Sequence, residues 1–206
     1  MREHVLGLQK GRGIKGLVLA SASPRRKALL EEVGYRFAVV APPLAEPDLP
    51  KGLAASRRAE ALAYFKARAV LEAGLEGPVL GADTVVAVAG RVIGKPADEA
   101  EARTMLRMLS GTRHEVITGI ALLWASGRRL IGHETTFVTM REISAAEVDE
   151  YIASREWVGK AGAYAIQETA DRFVVRVEGS FSNVVGLPLE LLRRLLGEPG
   201  SDGRAC

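Results

Sequence analysis

Two stretches of this 206-residue chain carry residue types that suit phosphate chemistry. Ser21-Ala22-Ser23-Pro24-Arg25-Arg26 sets the hydroxyls of Ser21 and Ser23 before the guanidiniums of Arg25 and Arg26. Backbone N–H groups at a helix start favour negative charge, and arginine offers paired donors to phosphate oxygens. An ordinary capped helix with solvated arginines would use the same residues, so this pattern leaves both readings open. Asp83 follows Gly81-Ala82 in apolar surroundings and precedes Thr84, with Gly94-Lys95-Pro96 downstream. A carboxylate among apolar strand residues has few reasons to be there unless it holds a metal, orients water or pairs with a cation such as Lys95. A plain Asp83–Lys95 ion pair is the alternative reading.

Other chemistries fit worse. Gly90-Arg91-Val92-Ile93-Gly94-Lys95-Pro96 has the wrong glycine spacing for a phosphate loop, and proline stands where a magnesium-binding hydroxyl belongs. His4, His114 and His133 show no zinc-ligand spacing. No Gly-x-Ser-x-Gly elbow and no Gly-x-Gly-x-x-Gly fingerprint occurs, and the lone Cys206 is a poor nucleophile candidate.

The elements that must position these residues are legible from periodicity and caps. Leu17–Ala20 is a buried-strand run; Ser23 as N-cap and Pro24 at the first helical position open a helix over 25–33, stopped by Gly34. A strand is expected at 37–40, then a proline-rich loop, then an alanine-rich helix over about 53–72 closed by Gly74. Apolar runs at 78–82 and 85–88 flank Asp83-Thr84, and Ala89-Gly90 turns the chain into 91–93. A helix over about 98–109 and two long strands near 115–124 and 130–141 follow. Ser144 with Glu147 is a capping box for a helix to 153. A strand at 173–177, a loop over 179–186 and a helix from Pro188 complete the expectation. Hairpins together with crossovers give an α/β fold with a mixed sheet.

Composition bounds the function. The charge of +3 is a small difference between 28 basic and 25 acidic residues spread along the chain. With only 5% aromatic residues and no basic stripe, a nucleic-acid partner is not expected. The single terminal cysteine excludes an intrachain disulfide, and neither a signal-like run nor a membrane-length apolar run is present, so a cytoplasmic protein is expected.

Taken in order, these segments resemble the Maf family, also called septum-formation-inhibitor-like proteins. The resemblance spans about Gly16 to Leu196. It is carried by Ala20-Ser21-Ala22-Ser23-Pro24-Arg25-Arg26, Leu62-Ala63-Tyr64-Phe65-Lys66-Ala67, Ala82-Asp83-Thr84-Val85-Val86, Gly94-Lys95-Pro96 and Leu109-Ser110-Gly111 with His114. It continues through Lys160-Ala161-Gly162-Ala163-Tyr164-Ala165-Ile166-Gln167 and Gly179-Ser180 to Asn183-Val184-Val185-Gly186-Leu187-Pro188. The resemblance implies one catalytic domain over 16–196 with two lobes around a cleft, between a flexible extension at 1–15 and a disordered tail at 197–206. It implies a homodimer that uses Mg²⁺ or Mn²⁺ to split nucleoside triphosphates between the α and β phosphates. Asp83 would be the general base and a metal ligand, Glu46 a second metal ligand, and Arg25, Lys66 and Lys95 triphosphate contacts. Ala45 precedes Glu46 where the family commonly has Asp-Glu. Arg25, Thr84 and Gln167 match the specificity positions of the dTTP/UTP pyrophosphatase subgroup. The alternatives are the same reaction on 7-methyl-GTP or inosine nucleotides, or a nucleotide-binding regulator of septation without catalysis.

Overall fold

Four consecutive apolar residues, Leu17–Ala20, form strand β1 and are all buried. A parallel strand covered on both faces has no solvent side toward which to alternate. The computed structural model describes residues 16–50, 52–72 and 77–198. The expected arm at 1–15, the Gly74 helix stop and the expected tail from residue 199 onward lie outside the described residues.

After β1 come α1 (Pro24–Glu32), β2 (Phe37–Val39), α2 (Ala55–Leu71), β3 (Val79–Val88), β4 (Arg91–Ile93), α3 (Glu99–Leu109) and β5 (Arg113–Leu123). Then follow β6 (Arg129–Met140), α4 (Ala145–Ala153), β7 (Val174–Glu178), α5 (Phe181–Val185) and α6 (Leu189–Leu196). The mixed α/β fold expected from the sequence is the one observed. The order β2-β1-β3-β5-β6-β7, with β4 also paired to β3, makes one sheet in which β1 runs parallel to β2 and β3. The remaining pairings are antiparallel. The capping box at Ser144 and Glu147 is formed as expected. Asp83, expected inside or beside a strand, lies with Thr84 inside a single continuous ten-residue strand. One difference matters. The expected loop at 179–186 contains α5, whose Ser180 side chain accepts from the Asn183 N–H. Five helical residues are too few to show a helical period, so no periodicity marks α5 in the sequence.

Strand β3 has an interrupted edge. On one side β5 pairs with it from Val79 to Ala87. On the other side β1 covers Val79–Gly81 and β4 covers Val86–Val88. Residues 82–85 have no strand partner on that side, and Asp83 and Thr84 sit in this gap. The gap opens where β1 ends, at the carboxyl end of a parallel pair, the place where open α/β sheets take ligands.

Alternation along β3 sends its side chains to different cores. Leu80, Ala82, Val86 and Val88 join the large apolar cluster with residues of α1, α3, α4 and α6. Val79, Val85 and Ala87 join two smaller clusters with residues of α2. Asp83 shares the α2 face by its odd position, and Thr84 the opposite face.

Helix α2 lies unusually close to the sheet. Its Ala59, Ala63 and Ala67 are completely buried. A Cβ on Gly81 would stand 2.1 Å from the Ala63 carbonyl oxygen, and one on Gly119 would stand 2.3 Å from the Ala59 carbonyl carbon. Gly119 pairs with Asp83 across β3 and β5. Glycine at these positions lets the backbones meet. No described helix is long and apolar enough to cross a membrane.

Gly119→Ala should therefore push α2 away and lower the urea-unfolding free energy by about 1–3 kcal/mol. Gly132→Ala on β6, whose Cβ would meet only Leu191 at 3.5 Å, should change it by less than about 0.5 kcal/mol. Equal effects would show that the approach of α2 is not the constraint.

Candidate active site

Asp83 is only 5% exposed, and an ionised carboxylate at such depth requires a partner. Lys66, near the C-terminal end of α2, supplies it: Nζ stands 2.5 Å from Asp83 Oδ1 and 2.8 Å from Glu46 Oε1. The alternative reading paired Asp83 with Lys95, but the close approach of α2 brings Lys66 there instead. Burial pushes the Glu46 carboxyl up, yet its hydrogen bond and attraction to Lys66, with the charges of Lys95 and Arg26 beyond, hold it below its ordinary value. Lys95 itself is exposed at the rim. The two expected metal-ligand carboxylates thus converge on one ammonium.

On the opposite face, Arg26 ties the cleft together. Its Nε donates to the Gly186 carbonyl at 2.7 Å, its Nη1 to Ser21 Oγ at 3.3 Å and its Nη2 to Thr84 Oγ1 at 3.1 Å. Burial lowers the pKa of this guanidinium, while the Asp83 charge works against that shift. Ser21 Oγ also accepts from the Ser23 N–H at 3.1 Å. Ser23 is the N-cap of α1, but its hydroxyl makes no capping bond. Ser23 and Arg25 both line the cleft. Of the two neighbouring arginines, Arg26 holds protein groups and Arg25 makes no ion pair among the described residues.

The rest of the cleft is apolar. Val86, Val116, Tyr164, Ile166, Val184 and Val185 line it with Asp83, Thr84, Arg25, Arg26 and Lys95. Gly162, with φ +69°, packs on Val86, and its N–H donates to the Gly94 carbonyl at 2.9 Å. This bond pins the loop carrying Tyr164 beside Lys95. The Tyr164 hydroxyl lies 2.8 Å from His114 Nε2. Burial lowers His114 to about 4 and raises the Tyr164 hydroxyl. Gln167 is exposed beside Ile166.

The structure therefore gathers Ser23, Arg25, Arg26, Asp83, Thr84 and Lys95 around one cleft, with Ser21 and Lys66 bonded to members of that group and Glu46 bonded to Lys66. Sequence reasoning assigned no role to His114, Tyr164, Thr118 or Asn183. All except Thr118 stood in the quoted motifs, but their contacts join distant segments that no spacing rule connects.

Such a site can hold an anionic group between Arg25, Lys95 and the start of α1, place a flat apolar group on the Val86–Val116 wall, and set a carboxylate between them. Residues 16–199 match the family described as Maf-like protein. A dTTP/UTP pyrophosphatase of Pelotomaculum thermopropionicum is 44% identical over 188 residues, covering 91% of this chain and 98% of the relative. One from Ruminiclostridium cellulolyticum is 44% identical over 184 residues, covering 89% and 95%. Among solved structures, a nucleoside-triphosphatase / dITP/XTP pyrophosphatase of Mycobacterium abscessus aligns with a TM-score of 0.42 and 18% identity, over 63% of this chain and 76% of its own.

The buried imidazole makes the fold sensitive to acid. His114 falls from 6.5 to about 4 on folding, so between these values the unfolded chain binds a proton that the folded one refuses. Its contribution is complete above pH 6.5 and declines as the pH falls toward 4, by on the order of 3 kcal/mol in total. His114→Phe should flatten the loss of unfolding free energy between pH 7 and 4.5 by on the order of 2 kcal/mol. An unchanged slope would assign the acid sensitivity to other groups.

Proposed function

This chain belongs to the Maf-like family, and from that membership we propose that it hydrolyses dTTP or UTP to the monophosphate and pyrophosphate. The observation that carries the reading is Asp83: a buried carboxylate, held by Lys66 at the open edge of β3, facing a cleft that Arg25 and Lys95 make cationic. The pyrimidine preference is supported by the names of the 44%-identical relatives and by Arg25, Thr84 and Gln167 at the subgroup's positions. The Gln167 amide has an N–H donor for a ring carbonyl that uracil and thymine share. A cytoplasmic homodimer belongs to the same proposal and is carried by the family resemblance.

In this reading a water oxygen attacks the α-phosphorus, and Asp83 takes the proton it loses. The bond from the α-phosphorus to the bridging oxygen breaks, and its electron pair leaves with pyrophosphate. Arg25 and Lys95 offset charge on the phosphate oxygens, the main task in phosphoryl transfer. The apolar wall receives the base and keeps bulk water from the attacking one.

The donor set fits a divalent cation. No cluster of three or more His, Cys, Asp or Glu side chains suited to a metal exists among the described residues. Mg²⁺, however, is commonly held by one or two carboxylates together with substrate phosphates. Glu46 and Asp83, which already meet at Lys66, would supply them. Mg²⁺ or Mn²⁺ bound there would neutralise phosphate charge.

With Mg²⁺ or Mn²⁺ and a panel of dTTP, UTP, CTP, ITP and 7-methyl-GTP, pyrophosphate release should be strongest for dTTP and UTP. Asp83→Asn should lower it by about 10²–10⁴-fold in protein still folded at the assay temperature, although stranding the Lys66 charge lowers its melting temperature. Folded wild-type protein that releases pyrophosphate from none of them would favour nucleotide binding without catalysis. Glu46→Gln should raise the metal concentration needed for half-maximal rate by about tenfold or more. An unchanged requirement would remove Glu46 from the metal site.

A further inference from the structure

A chain of hydrogen bonds runs from Arg26 across the sheet to α5. Arg26 Nη2 donates to Thr84 Oγ1 at 3.1 Å, the Thr84 and Thr118 hydroxyls meet at 2.9 Å, and Thr118 Oγ1 donates to the Asn183 carbonyl at 2.9 Å. Directions along the chain follow from what each group can do. A guanidinium only donates and a carbonyl only accepts, and a hydroxyl has one proton. Thr118 gives its proton to Asn183, so toward Thr84 it can only accept. Thr84 therefore gives its own proton to Thr118. Each bond in such a one-way chain polarises the next, and its source is the Arg26 cation.

The anchor is rigid. Thr118 and Asn183 are completely buried. The Asn183 side chain accepts from the Thr118 N–H at 3.1 Å and donates to the Val116 carbonyl and to Thr136 Oγ1, both at 2.9 Å. Gly186, three residues on, closes the ring: its N–H donates to the Asn183 carbonyl at 3.0 Å and its carbonyl accepts from Arg26 Nε. A Cβ on Gly186 would stand 3.4 Å from Thr84 Oγ1.

We propose that Thr118 determines specificity through Thr84: by taking the only proton of the Thr84 hydroxyl, it leaves Thr84 facing the cleft as a hydrogen-bond acceptor, so the site selects a ligand group that donates. This rests on the triphosphate reading above. Thr84 and Val86 share a face of β3, and Val86 and its cross-strand partner Val116 both line the cleft. The donor beside such a flat apolar floor is a ring N–H of the base rather than a sugar hydroxyl. Uracil and thymine carry that N–H at N3; cytosine has a lone pair there. Thr118 touches no ligand and acts as a positioning residue.

The test measures kcat/KM for UTP, CTP and 3′-deoxyuridine triphosphate with wild type, Thr118→Val and Thr118→Ser, beside melting curves. Wild type should prefer UTP over CTP by about tenfold or more. In Thr118→Val the released Thr84 proton turns to the cleft and can meet the cytosine lone pair, so the UTP/CTP ratio should fall by about tenfold. Thr118→Ser keeps the acceptor and should restore the ratio. A lower melting temperature with an unmoved UTP/CTP ratio would overturn the proposal, leaving Thr118 a structural residue. A change confined to the 3′-deoxy ratio would overturn the base assignment and put the donor on the sugar. Should Thr118→Val not fold, Thr84→Val, which removes the acceptor, must itself abolish the UTP preference; a retained preference overturns the idea. Wild type inactive on every triphosphate would sink the hydrolase reading, and this inference with it.

Discussion

A carboxylate buried in a strand is costly without a partner for its charge, and the cation beside Asp83 dictates much of this molecule. Lys66 reaches Asp83 from α2, so α2 must run almost in contact with the sheet. That contact is possible only where β3 and β5 present glycine, at Gly81 and Gly119, and where the helix presents Ala59, Ala63 and Ala67. The small-residue stripe, the two glycines and the ion pair are one arrangement. Removing one charge of a buried pair leaves the other stranded, which costs far more than the pair itself gains.

Strand order supplies the second requirement, access. An open strand edge beside the carboxylate leaves room for a ligand to approach. β1 ends at Ala20, opposite Gly81, and β4 ends at Ile93, opposite Val86, and between these pairings the edge of β3 is open at Asp83 and Thr84. Strand alternation then divides the labour. Asp83 belongs to the α2 face with Lys66 and Glu46, while Thr84 belongs to the face held by Arg26, Thr118 and Asn183. The proposed hydrolysis places reaction chemistry on one face and recognition on the other, on adjacent residues of one rigid strand.

The fold was legible from the sequence because its signals are local. The apolar run of β1, proline at the start of α1, the capping box of α4 and the turn glycines each act within a few residues of themselves. Apolar patterning left open whether Asp83 lies inside or beside a strand, since a charged residue interrupts the pattern, and α5 is too short to show a period. Residues of the site were found through motifs whose order resembles the Maf-like family. Their partners were not. Lys95 was the natural partner of Asp83 along the chain, yet Lys66 occupies that position in space. Arg26 looked like a ligand donor beside Arg25, but it holds Gly186, Ser21 and Thr84.

By itself, then, the sequence determined which elements form, which residues could do phosphate chemistry and which family the chain joins. Only the tertiary structure decided which cation neutralises Asp83, where the sheet edge opens, and which way the Thr84 proton points. Those outcomes depend on distances between segments far apart in the chain, such as the 2.5 Å from Lys66 to Asp83 and the 2.9 Å from Thr118 to Asn183. Hydrogen bonds and ion pairs act over a few ångströms in space, whereas patterns in a sequence record only neighbours along it.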